Sequence, residues 1–268
     1  MKKTSVFITI IMIFVLATAC KPAQNADAKT ELTVFAAASM TEAMTELTKA
    51  YKLIDPNVTI TYNFDSSGTL KTQIQEGANC DIFISAGQKQ MNQLDKTANA
   101  DVNTEGLDFV LKDTRFNLVS NEVVLIVPAN STNGITDFAD ILTDKTNLIA
   151  IGNSDVPAGQ YAEEVFKSLN MWDALLASNK VSYATNVKEV LTQVASGAVD
   201  CGVVYSTDAM SESGVKVAVS APEGSHGPIV YPAAVIKATE NKAAAEKFME
   251  YLKSDAAKAM FKKYGFSN

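Results

Sequence analysis

The sequence predicts an α/β protein of two similar lobes, each a mostly parallel sheet flanked by helices, joined by a two-strand hinge. Three observations carry this prediction. The segment Thr72-Gln73-Ile74-Gln75-Glu76-Gly77-Ala78-Asn79-Cys80-Asp81-Ile82-Phe83-Ile84-Ser85 aligns without gaps to Thr192-Gln193-Val194-Ala195-Ser196-Gly197-Ala198-Val199-Asp200-Cys201-Gly202-Val203-Val204-Tyr205, 120 positions further on. Each copy reads as a helix end, a glycine stop and a buried strand. Strand and helix patterns alternate in both halves of the chain, as parallel sheets require. The 268 residues suit two units of about 110–130 residues each. Chance likeness between two ordinary glycine-capped helix–strand joints is the competing explanation of the repeat.

Composition narrows the function classes. Hydrophobic residues make up 47% and charged residues 20%, a globular balance. There are 23 basic and 30 acidic residues, and no acidic residue precedes Asp27. Removing Lys2 and Lys3 with a leader leaves 21 basic against 30 acidic residues, a net charge of −9. That argues against nucleic acid as a partner, because phosphate backbones need a basic face. It also argues against steering of anions by net charge. Arg115 is the one arginine, so a bidentate Arg clamp on phosphate or carboxylate is nearly excluded.

Residues 1–19 read as a signal peptide. Met1-Lys2-Lys3 is basic, and Val6 to Ala19 is an apolar run of 14 residues, too short for an ordinary membrane span. The run ends Leu16-Ala17-Thr18-Ala19-Cys20, and small residues before a Cys resemble the bacterial lipoprotein cleavage box, with lipid added to Cys20. Leu16 stands one place further from Cys20 than in the commonest version, and plain secretory cleavage is the alternative. Residues 20–30 are polar and form a tether. The protein is expected to work outside the cytoplasm, at a membrane surface that it does not span. Cys80 and Cys201 sit at matching points of the repeat and read as buried small hydrophobes, not as a disulfide or a metal pair.

The elements follow in order. Leu32–Ala36 is a strand, turning at Ala38-Ser39 into a helix marked by Met40, Ala43, Met44, Leu47, Ala50 and Tyr51 at helical spacing. Asp55-Pro56-Asn57 breaks it. Val58–Tyr62 is a strand, Asp65-Ser66-Ser67-Gly68 a turn into a helix that ends at Gly77, and Asp81–Ser85 a third strand. Glu122–Pro128 is a strand leading into the second lobe. There Leu148–Ile151 turns at Val156-Pro157-Ala158-Gly159 into the helix of Ala162, Val165, Phe166 and Leu169. Val181–Tyr183 turns at Thr185-Asn186-Val187 into the helix of Val190, Leu191 and Val194, and Gly202–Tyr205 follows as a strand. Ile229–Ile236 runs back to the first lobe, and Lys242–Tyr251 and Ala256–Tyr264 close it as helices. Lobe 1 is therefore 31–122 plus 228–268 and lobe 2 is 123–227, with two crossings as a hinge.

Four strand-to-helix turns stand out, at Ser39, Ser66-Ser67, Ala158 and Val187. Ligands of open parallel sheets bind outside the carboxyl ends of strands. Each helix N-terminus there carries about half a positive charge, and four together supply on the order of +2. That matches a small dianion with no Lys or Arg in contact with it, and helix N-termini are ready anion sites. Each turn taken alone also reads as a plain helix cap. Ser39-Met40-Thr41-Glu42 is a capping box and Asn186-Val187-Lys188-Glu189 a similar start. Tyr205 ends its strand at the same edge, where its hydroxyl reaches the cleft or the ring merely packs.

Catalytic readings have little support. His226 is the one histidine, there is no G-x-S-x-G elbow, and no H-E-x-x-H, Cys-x-x-Cys or Walker loop. Asp95, Asp101, Asp108 and Asp113 are scattered in a polar stretch and read as solvated rather than metal-binding. A hydrolase would need Ser39 and His226 within hydrogen-bond reach.

Phe35-Ala36-Ala37-Ala38-Ser39-Met40, Phe64-Asp65-Ser66-Ser67-Gly68-Thr69-Leu70, Asp81–Ala86, Val156-Pro157-Ala158-Gly159-Gln160-Tyr161-Ala162 and Gly202–Ala209 resemble the molybdate-binding proteins of bacterial ABC importers. So does the carboxyl end, Tyr251–Ser254 and Phe261–Phe266, so the likeness spans the chain from about Leu32 onward. The resemblance implies the two-lobed periplasmic-binding-protein fold. It implies binding of molybdate, and of tungstate with it, by a monomer that delivers the ion to a permease and its ATPase. No cofactor, no protein–cation ligand and no catalysis is expected. Sulfate or thiosulfate would be the alternative ligand, and a sensor lobe would need a DNA-binding segment that the chain lacks. The oxyanion would be held by Ser39 and Ser67 through hydroxyl and N–H, by Ala158 and Val187 through N–H, and by the Tyr205 phenol. Asp65 departs from the small neutral residue of that family: a carboxylate beside the site would weaken dianion binding or accept a proton from a protonated oxyanion, and the expected alternative is that it points to solvent.

Overall fold

The computed structural model describes residues 29–267, so the predicted leader and Cys20 lie outside the described residues. β1 (Thr30–Ala37) buries Leu32, Val34 and Ala36, then tightens into a single 3-10 turn, Ala38–Met40, that runs into α1 (Thr41–Ile54). α1 buries Ala43, Met44, Leu47 and Tyr51, the helical stripe read from the sequence. It stops at Asp55, whose extended backbone (ψ 88°) suits the residue before a proline. β2 (Val58–Asp65), α2 (Ser67–Gln75), β3 (Ile82–Ile84), α3 (Gln88–Leu94) and β4 (Phe116–Ser120) follow. The chain then crosses to β5 (Val123–Pro128), β6 (Ile149–Gly152), α4 (Pro157–Ser168) and α5 (Trp172–Ala177). β7 (Val181–Ala184), α6 (Val187–Ala195), β8 (Cys201–Tyr205), α7 (Ser206–Ser211) and β9 (Val215–Ser220) complete that half. The chain returns through β10 (Val230–Val235) and ends in α8 (Lys242–Leu252) and α9 (Asp255–Lys263), which pack on the first half.

Two five-stranded sheets result, ordered β2-β1-β3-β10-β4 and β7-β6-β8-β5-β9. They match place by place. In each, the three strands of the β-α-β-α-β unit are parallel, and the fourth strand in the order is the crossing strand and runs against them. The sequence repeat falls on α2–β3 and α6–β8, which occupy equivalent places. Both copies end their helix by the same bonds. Gly77 N–H donates to Ile74 O (3.1 Å) and Ala78 N–H to Gln73 O (2.9 Å); Gly197 N–H donates to Val194 O and Ala198 N–H to Gln193 O, both at 3.0 Å. Both glycines have positive φ, 87° and 71°, a conformation most side chains resist. Shared topology and shared closing bonds leave chance likeness without force.

The crossings lie between β4 and β5 and between β9 and β10. Strands β4 and β9 and the helices α3, α5 and α7 have no counterpart in the sequence reading. The two strands are sheet edges, and the three helices have seven residues or fewer, too few for an apolar period to show. Cys80 and Cys201 are free and buried, as expected. Asp95 is not solvated: it is buried and pairs with Arg115 at 2.7 Å. Burial pushes its pKa up, but hydrogen bonds from Arg115 and Thr97 outweigh burial and hold the carboxyl below its ordinary value.

Candidate functional site

The carboxyl ends of β1, β2, β6, β7 and β8 face one another across the two sheets. Ser39, Ser67, Ala158, Val187 and Tyr205 all line one small cavity there, with about 200 Å³ of empty space. None of the described residues lining it is a lysine or arginine. All five are buried.

Helix starts leave N–H groups without partners inside the helix, and here the caps consume some and spare others. Ser66 is the N-cap of α2, and its hydroxyl accepts from Thr69 N–H at 3.1 Å. Gly68 N–H donates across the cleft to Asp155 O at 3.0 Å. The N–H of Ser67, first residue of α2, is left for the cavity. In α6, Asn186 Oδ1 accepts from Glu189 N–H at 3.0 Å, which leaves the N–H of Val187 at the first helical position. In α4 the first position is Pro157, which has no N–H, so Ala158 offers the first one. Ser39 is not a cap. Met40 precedes α1 and makes no side-chain cap bond, while Ser39 Oγ bonds to Tyr231 Oη at 2.9 Å. The capping-box reading of Ser39 is thereby replaced. Asn186 and Ser66 are caps whose neighbours line the cavity, so the caps and the cavity-lining residues share the same turns.

Burial pushes the pKa of Tyr205 well above its ordinary value, with further upward pushes from Tyr231, Tyr161 and Asp208. The phenol is therefore neutral and able to donate. Its hydroxyl lies 3.4 Å from Ala86 O, a long contact that a better acceptor can replace. Asp65 does not point free into solvent. It lines the cavity, and its Oδ1 accepts from Ser66 N–H at 2.7 Å and from Asn186 Nδ2 at 3.3 Å, a bond between the two lobes.

Other bonds also span the cleft. Lys188 Nζ donates to both oxygens of Glu42 (2.9 and 3.0 Å), and Gln90 Nε2 to Gln160 Oε1 (3.3 Å). Together with Gly68 these contacts describe lobes that are shut. Asp208, fully buried beside Tyr205, has Lys188 Nζ at 3.4 Å from Oδ1, an ion-pair contact too poorly aligned to count as a hydrogen bond. Burial raises its pKa to about 6 despite Lys188.

Sequence reasoning passed over Tyr231, Asn121, Asp208 and Gly68. Tyr231 and Asn121 sit beside the two crossings, and nothing local sets them apart from ordinary strand-end residues. His226 does not meet Ser39. Its Nδ1 lies 2.7 Å from Gly227 O and its ring packs against Tyr161, so the pair that hydrolysis would need is not formed. A larger concavity, about 710 Å³, lies elsewhere on the first lobe, beside Asp95, Arg115, Asp108 and Lys237. It is open, and those charges already pair with each other.

A cavity between two like lobes, lined by hydroxyl and N–H donors from both and by the one carboxylate of Asp65, is the site of a solute-binding protein of the two-lobed class. The chain belongs to the bacterial extracellular solute-binding protein family, whose pattern matches residues 32–267. It is 39% identical over 244 residues to the molybdate-binding protein ModA of Haemophilus influenzae, covering 90% of this chain and 91% of that one. It is 37% identical over 270 residues to a Bacillus subtilis protein provisionally named the ABC transporter substrate-binding lipoprotein YvgL, covering 99% and 98%. Among solved structures, the periplasmic molybdate-binding protein of Azotobacter vinelandii superposes with a TM-score of 0.76 at 27% identity, covering 88% of this chain and 99% of that one.

Proposed function

We propose that this chain captures molybdate, and tungstate with it, between its lobes and presents the ion to a membrane permease driven by an ATPase. The observation that carries the reading is the cavity itself: two serine hydroxyls, three helix-start N–H groups and a neutral phenol converge there without a cation. Hydrogen bonds to a charged oxygen are about twice as strong as neutral ones, and strengthen where water is excluded. The helix termini add partial positive charge where the ion sits. Uncharged donors therefore suffice for a dianion. The relatives named for molybdate support this ligand over sulfate or thiosulfate. Ser39, Ser67, Ala158, Val187 and Tyr205 are the proposed contacts. The lobes are taken as 31–122 plus 228–268 and 123–227, hinged at the crossings, and the protein as a monomer tethered through lipidated Cys20. The Bacillus relative's lipoprotein name supports that anchor.

Titration calorimetry with molybdate, tungstate and sulfate tests the reading. Tight binding of the first two and weak binding of sulfate are expected. The double variant Ser39→Ala, Ser67→Ala removes two charge-assisted bonds of about 1.5–3 kcal/mol each, a loss of roughly 10²- to 10⁴-fold in affinity. The variant should stay folded, with an unfolding temperature lowered by the loss of acceptors for the Tyr231 hydroxyl and the Ala86 N–H. Unchanged heats with molybdate would refute the assignment.

A further inference from the structure

The hydrogen atoms around Asn121 can be counted, and the count reaches the cavity. Asn121 follows β4 at the first crossing. Its Oδ1 receives the backbone N–H of Glu122 at 2.9 Å and the Ser206 hydroxyl at 3.0 Å. A backbone N–H can only donate, so the amide orientation is settled by its partner. Asn121 Nδ2 then faces Thr207 Oγ1 at 2.9 Å and Tyr231 Oη at 3.1 Å, and both its hydrogens are used. Tyr231, in β10 just past the second crossing, is fully buried. Having accepted from Asn121, its hydroxyl needs an acceptor for its own hydrogen, because buried polar groups are paired. Ser39 Oγ, 2.9 Å away, is the partner available among the described residues. Ser39 has then accepted, and its hydrogen is left for the cavity it lines. Ser67 is treated alike from another direction: Ala86 N–H donates to Ser67 Oγ at 2.9 Å, which also frees that hydroxyl to donate.

We infer that Asn121 and Tyr231 are positioning residues that occupy one acceptor site of the Ser39 hydroxyl and aim its hydrogen at the cavity, and so strengthen the preference of the cavity for fully deprotonated oxyanions over those that carry an O–H. The inference rests on the oxyanion reading above and deepens it. A serine hydroxyl on its own can turn and accept. Hydrogen phosphate has a hydrogen to give and needs such an acceptor, whereas molybdate has none. The chain Asn121–Tyr231–Ser39 narrows that freedom by running its donors one way, from the crossing toward the ligand. It also joins the lobes at the ion, since Asn121 is held by Ser206 and Thr207 on one side and by Tyr231 on the other.

The test is the ratio of dissociation constants for inorganic phosphate and molybdate at pH 7.5, by calorimetry, in the unaltered protein, Tyr231→Phe and Asn121→Asp. Tyr231→Phe keeps the ring and releases Ser39, so molybdate binding should weaken about tenfold and the ratio should fall at least tenfold. Asn121→Asp puts an acceptor where Nδ2 stood. Tyr231 would then donate to it and take the Ser39 hydrogen, and the ratio should fall further. A residue that merely supported the fold would weaken both ligands alike. A ratio within twofold of the unaltered protein in a folded Tyr231→Phe variant would overturn the inference while leaving molybdate binding in place. Absence of molybdate binding by the unaltered protein would overturn the functional reading instead, and this inference with it.

Discussion

Gly68→Ala separates closure of the lobes from stability of the fold. Gly68 is the second residue of α2, and a Cβ placed there would lie 2.3 Å from Asp155 O and 2.7 Å from Asp155 Cβ. Asp155 belongs to the turn before α4, on the other lobe. A carbon and a carbonyl oxygen approach to about 3.3 Å at best, so the two turns must part by roughly 1 Å. That breaks the Gly68 N–H···O bond, worth about 1 kcal/mol. It also draws Ala158 and Val187 back from any ion held by Ser67. Stretching one charge-assisted bond costs a further 1.5–3 kcal/mol or so, about 2–4 kcal/mol in all. Affinity for molybdate should therefore fall by roughly 30- to 1,000-fold. Within its own lobe the same methyl group replaces a glycine in a helix, which is worth up to about 1 kcal/mol in its favour. The ion-free variant should thus unfold at an equal or slightly higher temperature while binding far less tightly. Calorimetry, thermal unfolding and the radius of gyration in solution read the three consequences. A dissociation constant within threefold of the unaltered protein would show that the Gly68–Asp155 approach does not govern closure.

Tyr205→Phe should lose one charge-assisted bond, about 1.5–3 kcal/mol or 10- to 150-fold in affinity, with little change in stability; binding unchanged by calorimetry would remove Tyr205 from the site. Asp208 predicts a pH dependence. Its pKa rises from an ordinary 3.8 to about 6 on burial, so between those values it holds a proton in the folded state that the unfolded state has released. Its contribution is therefore full below about pH 4 and is lost as pH rises through 6, by at most about 3 kcal/mol. Asp208→Asn should abolish that component, so its stability relative to the unaltered protein should rise between pH 4.5 and 7.5 in urea unfolding. Parallel pH profiles for the two proteins would contradict it.

The lobes and their internal symmetry were legible because they rest on short-range signals. A helical stripe such as Ala43, Met44, Leu47 and Tyr51, a glycine that must take positive φ at 77 and 197, and a proline opening α4 act over a few residues. The turns at Ser39, Ser67, Ala158 and Val187 were legible for the same reason, since a strand end followed by a helix start is a local pattern. Edge strands β4 and β9 and helices of two turns or less were not, because they carry too few residues for a period to emerge. Asp95 looked like a surface carboxylate until its partner, 20 positions away, came into contact.

Local chemistry therefore settles which groups this chain can offer: hydroxyls, helix-start N–H groups and phenols, with almost no arginine. Whether those groups meet, and in which direction each hydroxyl gives its hydrogen, depends on residues far apart along the chain. Ser39 and Tyr231 are 192 positions apart, and Asn121 and Tyr231 are 110. No sequence period encodes such a pairing; only the packing of one sheet against the other brings donor to acceptor, excludes water between them and leaves one hydrogen facing the cavity.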